Sequence, residues 1–202
     1  PVTGFYRAVT PTFVREATYS FLKNLRSPVI LANDFLQGEL GRAGGTVVRF
    51  FVNSTAGVLG FWDVASKIGF EPHNEDFGQT LAVWGFEEGP FLMLPVFGPS
   101  NPRDLAGRVV DYFLDPINWW VAPDDNRIPI IRTAVSAIDL RDRLWENLEE
   151  IDKNSIDPYA SYRSMYRQRR NDEIRNGSNS QSKTDLEPTK PTYELAEPNL
   201  TE

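Results

Sequence analysis

The feature that most constrains the fold is a recurring helix-start signal, in which a capping side chain is followed directly by proline. It occurs as Thr10-Pro11, Ser27-Pro28, Asn101-Pro102 and Asp157-Pro158. The side-chain oxygen of the capping residue accepts a hydrogen bond from the first turn of the helix, where proline's missing N–H leaves no bond unmade. Apolar residues at helical spacing follow each signal, so the sequence predicts a helix starting at each of these sites.

The segment between Pro11 and Gly38 is therefore predicted to hold two helices. In the first, the residues that recur at helical spacing are Phe13, Val14, Ala17, Phe21, Leu22 and Leu25. The second starts after Ser27 and stops before Gly38, a residue type that commonly ends helices. It is apolar over much of its circumference, at Val29, Ile30, Leu31, Ala32, Phe35 and Leu36. Such a helix needs neighbours on more than one side, and these are either protein or lipid.

Residues 39–55 are predicted to form a third helix. Its apolar face consists of Leu40, Ala43, Val47, Phe50 and Phe51. Gly41 and Gly45 have the spacing of small residues that lets two helices approach closely, and we expect close packing rather than a membrane dimer. A turn at residues 57–63 then leads into a short apolar helix that runs through Ile68.

The C-terminal half is predicted to hold three further helices, which start near Pro102, Pro129 and Pro158. Between the first two, residues 117–121 read INWWV, and the tryptophan pair leaves three roles open: core packing, a partner contact or an anchor at a membrane interface. The last helix carries four arginines, for which we expect a solvated face that pairs with acids, or a face towards anionic lipid heads. These arginines are Arg163, Arg167, Arg169 and Arg170.

The whole pattern indicates an all-α protein. Sustained alternation of apolar and polar residues, which is typical of strands, is found nowhere along the chain. With 41% hydrophobic residues, the chain can bury a core, and we expect one helical domain over residues 1–176. Residues 177–202 are mostly Ser, Asn, Thr, Pro, Lys and Glu. Because such a composition buries too little apolar surface to offset the entropy of ordering, we expect a disordered C-terminal tail.

The stretch from Glu75 to Asp104 breaks the helical pattern. It contains four glycines and four prolines, interleaved with Phe77, Trp84, Phe86, Phe91 and Phe97. Glycine supplies backbone angles that other residues avoid, and proline removes a hydrogen-bond donor, so a regular element is not expected here. Two interpretations stay open: an irregular buried connection between helices, or an apolar wall past which a ligand slides.

Composition and length exclude several classes of protein. The net charge of −7 argues against nucleic-acid binding, because a phosphate-binding surface needs a basic stripe. The chain has no cysteine, so it has neither disulfides nor a thiolate metal site. No run approaches the roughly 18–20 apolar residues that a membrane-spanning helix needs, although the chain can still lie within one leaflet.

No set of residues predicts catalysis or a bound cofactor. His73 is the sole histidine, and in the sequence EPHNED it is better explained by a surface turn than by a metal site. Ser100 lacks the second glycine of a nucleophile elbow, and any hydrolase would have to use His73 as its base. Phosphate-cradling and dinucleotide-binding glycine motifs are also missing. We therefore predict a protein that is not an enzyme, with a hydrolase as the weakest alternative.

Several segments together resemble the MlaA (VacJ) lipoprotein family of Gram-negative outer membranes. They include LRSP at residues 25–28, NDFLQG at 33–38, RFFVNSTAG at 49–57 and DFGQTL at 76–81. Further matches are WG at 84–85, GPF at 89–91, LP at 94–95, GPS at 98–100, RD at 103–104, DPYA at 157–160 and YRQR at 166–169. The resemblance covers residues 1–176 in the family's order. The family's lipidated N-terminal cysteine and the acidic-aromatic segment after it are not in this sequence, and we expect both in a longer precursor.

The resemblance implies a ring-like assembly of amphipathic helices in the inner leaflet of the outer membrane, on its periplasmic side. The implied function is phospholipid transport, in which mislocalised phospholipid is removed from the outer leaflet and passed towards a periplasmic carrier. The implied partners are phospholipid, a trimeric outer-membrane porin and that carrier, with no nucleic acid, metal or cofactor. The alternative is a porin-associated structural lipoprotein that supports envelope integrity without conducting lipid.

For a lipid transporter, the central stretch gains a role. Exposing acyl chains to water costs about 0.8 kcal/mol per methylene, so the path for a lipid must be continuously apolar, beside a polar route for its head group. We predict that the wall of this path, or its support, consists of Phe77, Trp84, Phe91, Leu92 and Leu94. We predict that Asp76, Gln79 and Thr80 line the polar route or stand behind it.

Overall fold

The computed structural model describes residues 2–94, 98–121 and 127–176 of the chain. Its helices are α1 (Val2–Val9), α2 (Thr12–Gln37), α3 (Leu40–Thr55), α4 (Val64–Lys67), α5 (Phe77–Val83), α6 (Pro102–Leu114), a π-helical turn (Ile117–Val121), α7 (Arg127–Arg143), α8 (Trp145–Asn154) and α9 (Pro158–Ile174). The strands β1 (Leu92–Leu94) and β2 (Gly98–Ser100) pair antiparallel, with Leu92 opposite Ser100. The all-α prediction is confirmed, and the predicted tail lies outside the described residues.

Local signals place most helix ends correctly. Asn101 caps α6 through a hydrogen bond from the backbone N–H of Asp104 (2.7 Å), and Asp157 caps α9 through one from Ala160 (3.0 Å). Gly38 ends α2 in the left-handed conformation, with φ 80°. Helix α2 begins at Thr12, directly after Pro11, although no side chain caps it.

The predicted boundary at Ser27-Pro28 is wrong. Helix α2 runs through Pro28 without a break over 26 residues. A proline inside a helix costs about 3 kcal/mol, because it removes a hydrogen bond and crowds the preceding turn. This helix packs against α3, α5, α6 and α7. Tertiary packing on several sides therefore outweighs the local preference to stop.

The central stretch is more regular than predicted. It contains the short helix α5 and the β1–β2 pair, with Pro95 and Phe97 lying outside the described residues. Asp76 caps α5 by accepting a hydrogen bond from the backbone N–H of Gln79 (2.9 Å), a local signal that the glycine and proline content obscured. The long helix predicted from Pro129 to Ile151 is also interrupted, at Leu144, where ψ is 0°.

The interior is polar and the outer surface is apolar, the reverse of the usual distribution. Side chains that are fully shielded from solvent include Asn33, Asp34, Gln79, Thr80 and Ser100. Large apolar side chains point outward on most helices, including Phe5, Phe13, Leu40, Phe51, Trp62, Trp84, Val109, Phe113, Ile130 and Ile131. In α3, the residues of the predicted apolar face divide, with Ala43 buried but Phe51 61% exposed, while Arg49 and Asn53 face inward.

The outward-facing apolar residues do not build a membrane-spanning helix. None of the helices within the described ranges combines the length and the apolar content that crossing a bilayer requires. The apolar surface is instead spread over several short amphipathic helices, each of which offers one apolar side.

Candidate functional site

The three predicted polar residues lie together in the buried network that holds α5 in place. Arg170 of α9 donates to both carboxylate oxygens of Asp76, at 2.7 and 2.6 Å, and also contacts Asp104 of α6 at 2.9 Å. Burial by itself raises the pKa of Asp76, but the hydrogen bonds and charge of Arg170 hold that pKa well below its ordinary value. Asp76 is therefore an anion that ties three helices together.

Gln79 and Thr80 extend this network towards α2. The Gln79 side chain donates to the backbone oxygen of Asn74 at 3.0 Å, and the Thr80 hydroxyl donates to Asn33 of α2 at 2.7 Å. Gln37 bridges Thr80 and Glu75 with hydrogen bonds of 3.2 and 2.9 Å. Because Gln79 and Thr80 have no solvent exposure, their position fits a supporting role better than a lining one.

The predicted apolar residues divide between two places. Phe77 and Trp84 pack edge to face, with ring centres 5.6 Å apart, and the Trp84 indole donates to the backbone oxygen of Leu36 at the end of α2. Phe91 packs instead against Tyr159 and Tyr166 of α9, with ring centres 5.4 and 5.9 Å away. The structure thus gathers the first pair beside α2 and places Phe91 beside α9.

Leu92 and Leu94 are half-buried residues of β1, on either side of the more exposed Met93. The alternation follows from the strand, in which neighbouring side chains point to opposite faces. The two leucines therefore share the less exposed face of the hairpin.

Three of the four arginines of α9, Arg167, Arg169 and Arg170, pair with acids as predicted, but Arg170 is buried rather than solvated. Arg167 lies 2.7 Å from Glu88, whereas Arg170 is only 6% exposed and joins Asp76 with Asp104. The Tyr166 hydroxyl also donates to Asp104, and burial together with this contact raises the pKa of Tyr166. Helical spacing puts Tyr166 and Arg170, four residues apart, on one face of α9, but nothing local shows that this face points inward.

A narrow cleft between α2 and α3 contains charged residues that the sequence analysis did not single out. Its volume is about 70 Å³, and its lining includes Tyr19, Lys23, Thr46, Arg49, Asp63 and His73. Arg49 donates to Ser66 at 3.0 Å, to Asp63 at 2.9 Å and to the backbone oxygen of Phe70. Burial raises the pKa of Asp63, but the hydrogen bonds from Ser66 and Arg49 outweigh it and lower that pKa to about 2.

Lys23 is the unusual residue of this narrow cleft. Burial, with a further contribution from the charge of Arg49, lowers its pKa from 10.5 to about 8. Its ammonium lies 5.7 Å from the centre of the Tyr19 ring. Within the described ranges, no carboxylate lies within ion-pair distance of it. The narrow cleft therefore holds a partly buried cation without a salt bridge.

His73 is not the solvated turn residue that we predicted. Its Nε2 lies 3.1 Å from both oxygens of Asp34 and 3.1 Å from the Thr46 hydroxyl, and its side chain is 17% exposed. In the part of the chain that the structure describes, no three His or acidic residues group as a metal site. Ser100 is fully buried, which leaves no open nucleophile at that position.

A second, wider cleft lies on the other side of the Pro72-His73 turn. Its volume is about 970 Å³, and it is bordered by Gly41 and Gly45 of α3 and by the end of α9. A Cβ atom added at either glycine would meet nothing within 4 Å. The predicted close helix packing at this spacing is therefore wrong, because the small residues border open space. Pro72 and His73 line both clefts.

Comparisons with known proteins agree with this architecture. The family model described as MlaA lipoprotein matches residues 1–173. The chain is 32% identical to the intermembrane phospholipid transport system lipoprotein MlaA of Escherichia coli over 182 residues, which are 88% of this chain and 69% of that protein. It is 33% identical over 165 residues to an uncharacterized protein of Rickettsia prowazekii, covering 81% of this chain and 64% of that one. The chain thus spans about two thirds of the length of these relatives.

A solved structure has a similar fold. It was reported as the structural basis for maintenance of bacterial outer membrane lipid asymmetry, and it matches with a TM-score of 0.72 at 28% identity, over 86% of each chain.

Proposed function

The chain belongs to the MlaA lipoprotein family, and from this premise we propose that it transports phospholipid at a Gram-negative outer membrane. In this proposal the protein removes mislocalised phospholipid from the outer leaflet and passes it towards a periplasmic carrier. It sits on the periplasmic side, held by a lipid anchor in the full-length precursor, beside a trimeric porin. The names of the relatives and of the similar structure support the lipid and the membrane; the porin and the carrier come from the family resemblance.

The observation that carries the proposal is the inverted distribution of polar and apolar residues. Phe5 and Phe13 are each 71% exposed, whereas Asn33, Asp34 and Gln79 have no exposure at all. An apolar exterior on this scale is costly in water, because each exposed Phe or Leu forgoes roughly 1.5–3 kcal/mol of burial, but it is favourable in acyl chains. The two clefts on either side of the Pro72-His73 turn, which polar residues partly line, offer a phosphate-bearing head group a polar environment that acyl chains lack.

We propose that the eight residues of the central stretch act in two ways. Asp76, Gln79 and Thr80 hold α5 in position, and Trp84 and Phe91 present aromatic surface to the acyl chains. The half exposure of Trp84 supports this role, since a wall residue must be reachable by lipid. Phe77 supports Trp84 through their edge-to-face contact, and Leu92 and Leu94 support the hairpin that follows Phe91.

The test is to follow outer-leaflet phospholipid in intact cells of a Gram-negative host that lacks its own family member. The native protein is expected to lower the phospholipid that an added phospholipase can reach. Trp84→Glu and Phe91→Glu are expected to reach the membrane in normal amounts but to leave that phospholipid high. Ile156→Glu is the matched control, because Ile156 is fully exposed and lies outside the predicted path.

Two outcomes would contradict parts of the proposal. If Trp84→Glu and Phe91→Glu clear phospholipid as well as the native protein does, these residues do not belong to the wall. If the native protein restores the envelope without lowering outer-leaflet phospholipid, and purifies free of lipid, the structural lipoprotein is the correct function.

A further inference from the structure

We propose that the narrow cleft between α2 and α3 is a binding site for a phosphate group, with Lys23 as the residue that carries the countercharge. The proposal deepens the proposed function, on which it rests for its ligand: the phosphate is then that of a phospholipid head group. Free phosphate shares the same chemistry, and the experiment below distinguishes the two sources.

One cation at the narrow cleft, Lys23, has no countercharge within the described ranges. Arg49 is compensated by Asp63 at 2.9 Å, and Arg143, whose guanidinium lies 3.4 Å from the Tyr19 ring centre, is compensated by Asp139 at 3.1 Å. The His73 ring is held by Asp34. Lys23 has no such partner within the described ranges. A partly buried cation without a countercharge is costly, and an anionic ligand would remove that cost.

Hydroxyl groups stand on both sides of Lys23. Ser20 and Ser27 are three residues before and four residues after it, so all three side chains share one face of α2, and all three line the narrow cleft. In the described part of the chain, neither serine hydroxyl has a hydrogen-bond partner, and Ser27 is only 8% exposed. An ammonium flanked by two unused hydroxyl donors suits the oxygens of a phosphate.

The size of the cleft selects a head group and excludes acyl chains. A volume of 70 Å³ holds about five water-sized spheres at roughly 10–15 Å³ each, which is enough for one phosphate group. The acyl chains would then remain outside, against the apolar exterior. The wide cleft of about 970 Å³ lies across the Pro72-His73 turn and shares these two residues with the narrow cleft.

The binding experiment uses the full chain in an uncharged maltoside detergent. The probes are dihexanoyl phosphatidylglycerol and dihexanoyl phosphatidylethanolamine below their micellar concentrations, inorganic phosphate, and dihexanoylglycerol, which has the chains without the phosphate. Calorimetry measures each affinity for the native protein and for Lys23→Met, Lys23→Arg and Lys153→Met. Lys153 is the matched control, because it is an exposed lysine on α8 that does not line the cleft and pairs with Glu149.

We expect the loss of affinity to depend on the charge of the side chain at position 23 and on the phosphate of the probe. Lys23→Met weakens phospholipid binding by at least about tenfold, the usual effect of losing one hydrogen bond to a charged group. Lys23→Arg keeps most of the affinity, Lys153→Met changes nothing, and dihexanoylglycerol binds equally to all four proteins. If inorganic phosphate binds as tightly as the phospholipids and with the same dependence on Lys23, the site stands and its source is free phosphate.

Failure of the site and failure of the proposed function have different signatures. If Lys23→Met binds the short phospholipids as well as the native protein does, and also transfers phospholipid between vesicles normally, the site is wrong and the function stands. If the native protein transfers no phospholipid between vesicles but still binds phosphate through Lys23, the function is wrong and the site stands.

Discussion

At the scale of single residues, Asp111 is the acid whose titration bears most directly on stability. Burial raises its pKa from 3.8 to about 6, which outweighs the charge of Arg26 at 3.8 Å. Because the folded state then binds this proton more tightly than the unfolded state does, the free energy of unfolding increases as the pH falls from about 6 towards 3.8. Acidification over this window therefore stabilises the fold through Asp111.

The corresponding prediction is that Asp111→Asn stabilises the protein at pH 7 by about 1–3 kcal/mol. Its amide oxygen can still accept the hydrogen bond from the backbone N–H of Phe77, which is 3.0 Å long in the native protein. Denaturation in detergent at pH 7 and at pH 4.5 measures both values, and the difference between native and variant is expected to shrink at the lower pH and to vanish only below pH 3.8. A variant that is less stable at pH 7 would contradict this assignment.

Asp76 and Arg170 form the ion pair on which the buried network most depends. Removing one partner leaves the other charge buried and unpaired, so Arg170→Met and Asp76→Asn are each expected to lower the free energy of unfolding by about 3–5 kcal/mol. The lowered pKa of Asp76 means that its contribution is present above its ordinary pKa and is lost only in strong acid. Lys153→Met, which breaks the exposed pair with Glu149, is the control and is expected to leave unfolding unchanged.

Replacing Lys23 is predicted to change stability and phosphate binding in opposite directions. Burial is the main reason for its lowered pKa; the charges of Arg49, Arg143 and Arg26 add to it, and Asp63 offsets only part of this. The native state therefore gains stability as the pH rises from about 8 to 10.5. We expect Lys23→Met to raise the free energy of unfolding at pH 7 by about 1–3 kcal/mol while it weakens phosphate binding.

The pH dependence of binding gives a second readout for Lys23. Phosphate affinity of the native protein should fall as the pH rises through about 8, because the ammonium loses its proton. Lys23→Arg should not show this fall, since a guanidinium stays charged. A cleft lysine with a purely structural role would produce neither the gain in stability nor this pH profile.

At the scale of elements, the crossing of α5 and α6 depends on two glycines. A Cβ atom at Gly107 would lie 2.3 Å from the backbone nitrogen of Gly78, so the two helices touch through their backbones. Gly107→Ala is expected to destabilise the protein by about 1–3 kcal/mol or more, because backbone has to move. Gly44→Ala in α3 is the matched control: nothing lies within 4 Å of its added Cβ, and a gain of about 0.5–1 kcal/mol is expected.

The helices show where prediction from sequence succeeds and where it stops. The caps at Asn101 and Asp157 and the stop at Gly38 are local, because a residue and its neighbours within one turn decide them. The signal at Ser27-Pro28 wrongly predicts a helix start, because α2 packs against four other helices that the sequence near residue 28 does not show. The outward orientation of Phe51 in α3 is not predictable for a related reason. Periodicity identifies an apolar face, but not whether that face points into the protein or away from it.

The same division applies to the candidate site. The central stretch was singled out correctly as unusual, yet the partner of Asp76 is Arg170, 94 residues further along the chain. The sequence does not distinguish Lys23 from other lysines, because a lysine among the apolar residues of a helix is ordinary until its neighbours are known. Local chemistry therefore predicts which residues matter for backbone geometry, and only the packed structure shows which charges lack partners.

At the scale of the whole molecule, the apolar exterior predicts how the protein sits in lipid. Trp62, Trp84 and Trp119 are 60%, 50% and 48% exposed, whereas Trp145 is partly covered and packs beside Arg7 at 5.6 Å. The test uses vesicles of phospholipids with brominated acyl chains and variants that each keep a single tryptophan. Variants that keep Trp62, Trp84 or Trp119 should lose most of their fluorescence. The protein that retains Trp145 should lose much less.

The depth of bromine along the acyl chain gives the second part of this prediction. Because the apolar surface is spread over short amphipathic helices that each offer one apolar side, the outward-facing tryptophans should be quenched best by bromine near the head groups, and poorly by bromine at the chain ends. Quenching must also persist in high salt, since apolar burial rather than surface charge drives it and the net charge is −7. If aqueous acrylamide quenches Trp62, Trp84 and Trp119 and brominated lipid does not, the apolar exterior faces water rather than lipid. The proposed transport of phospholipid would then lose the observation that carries it.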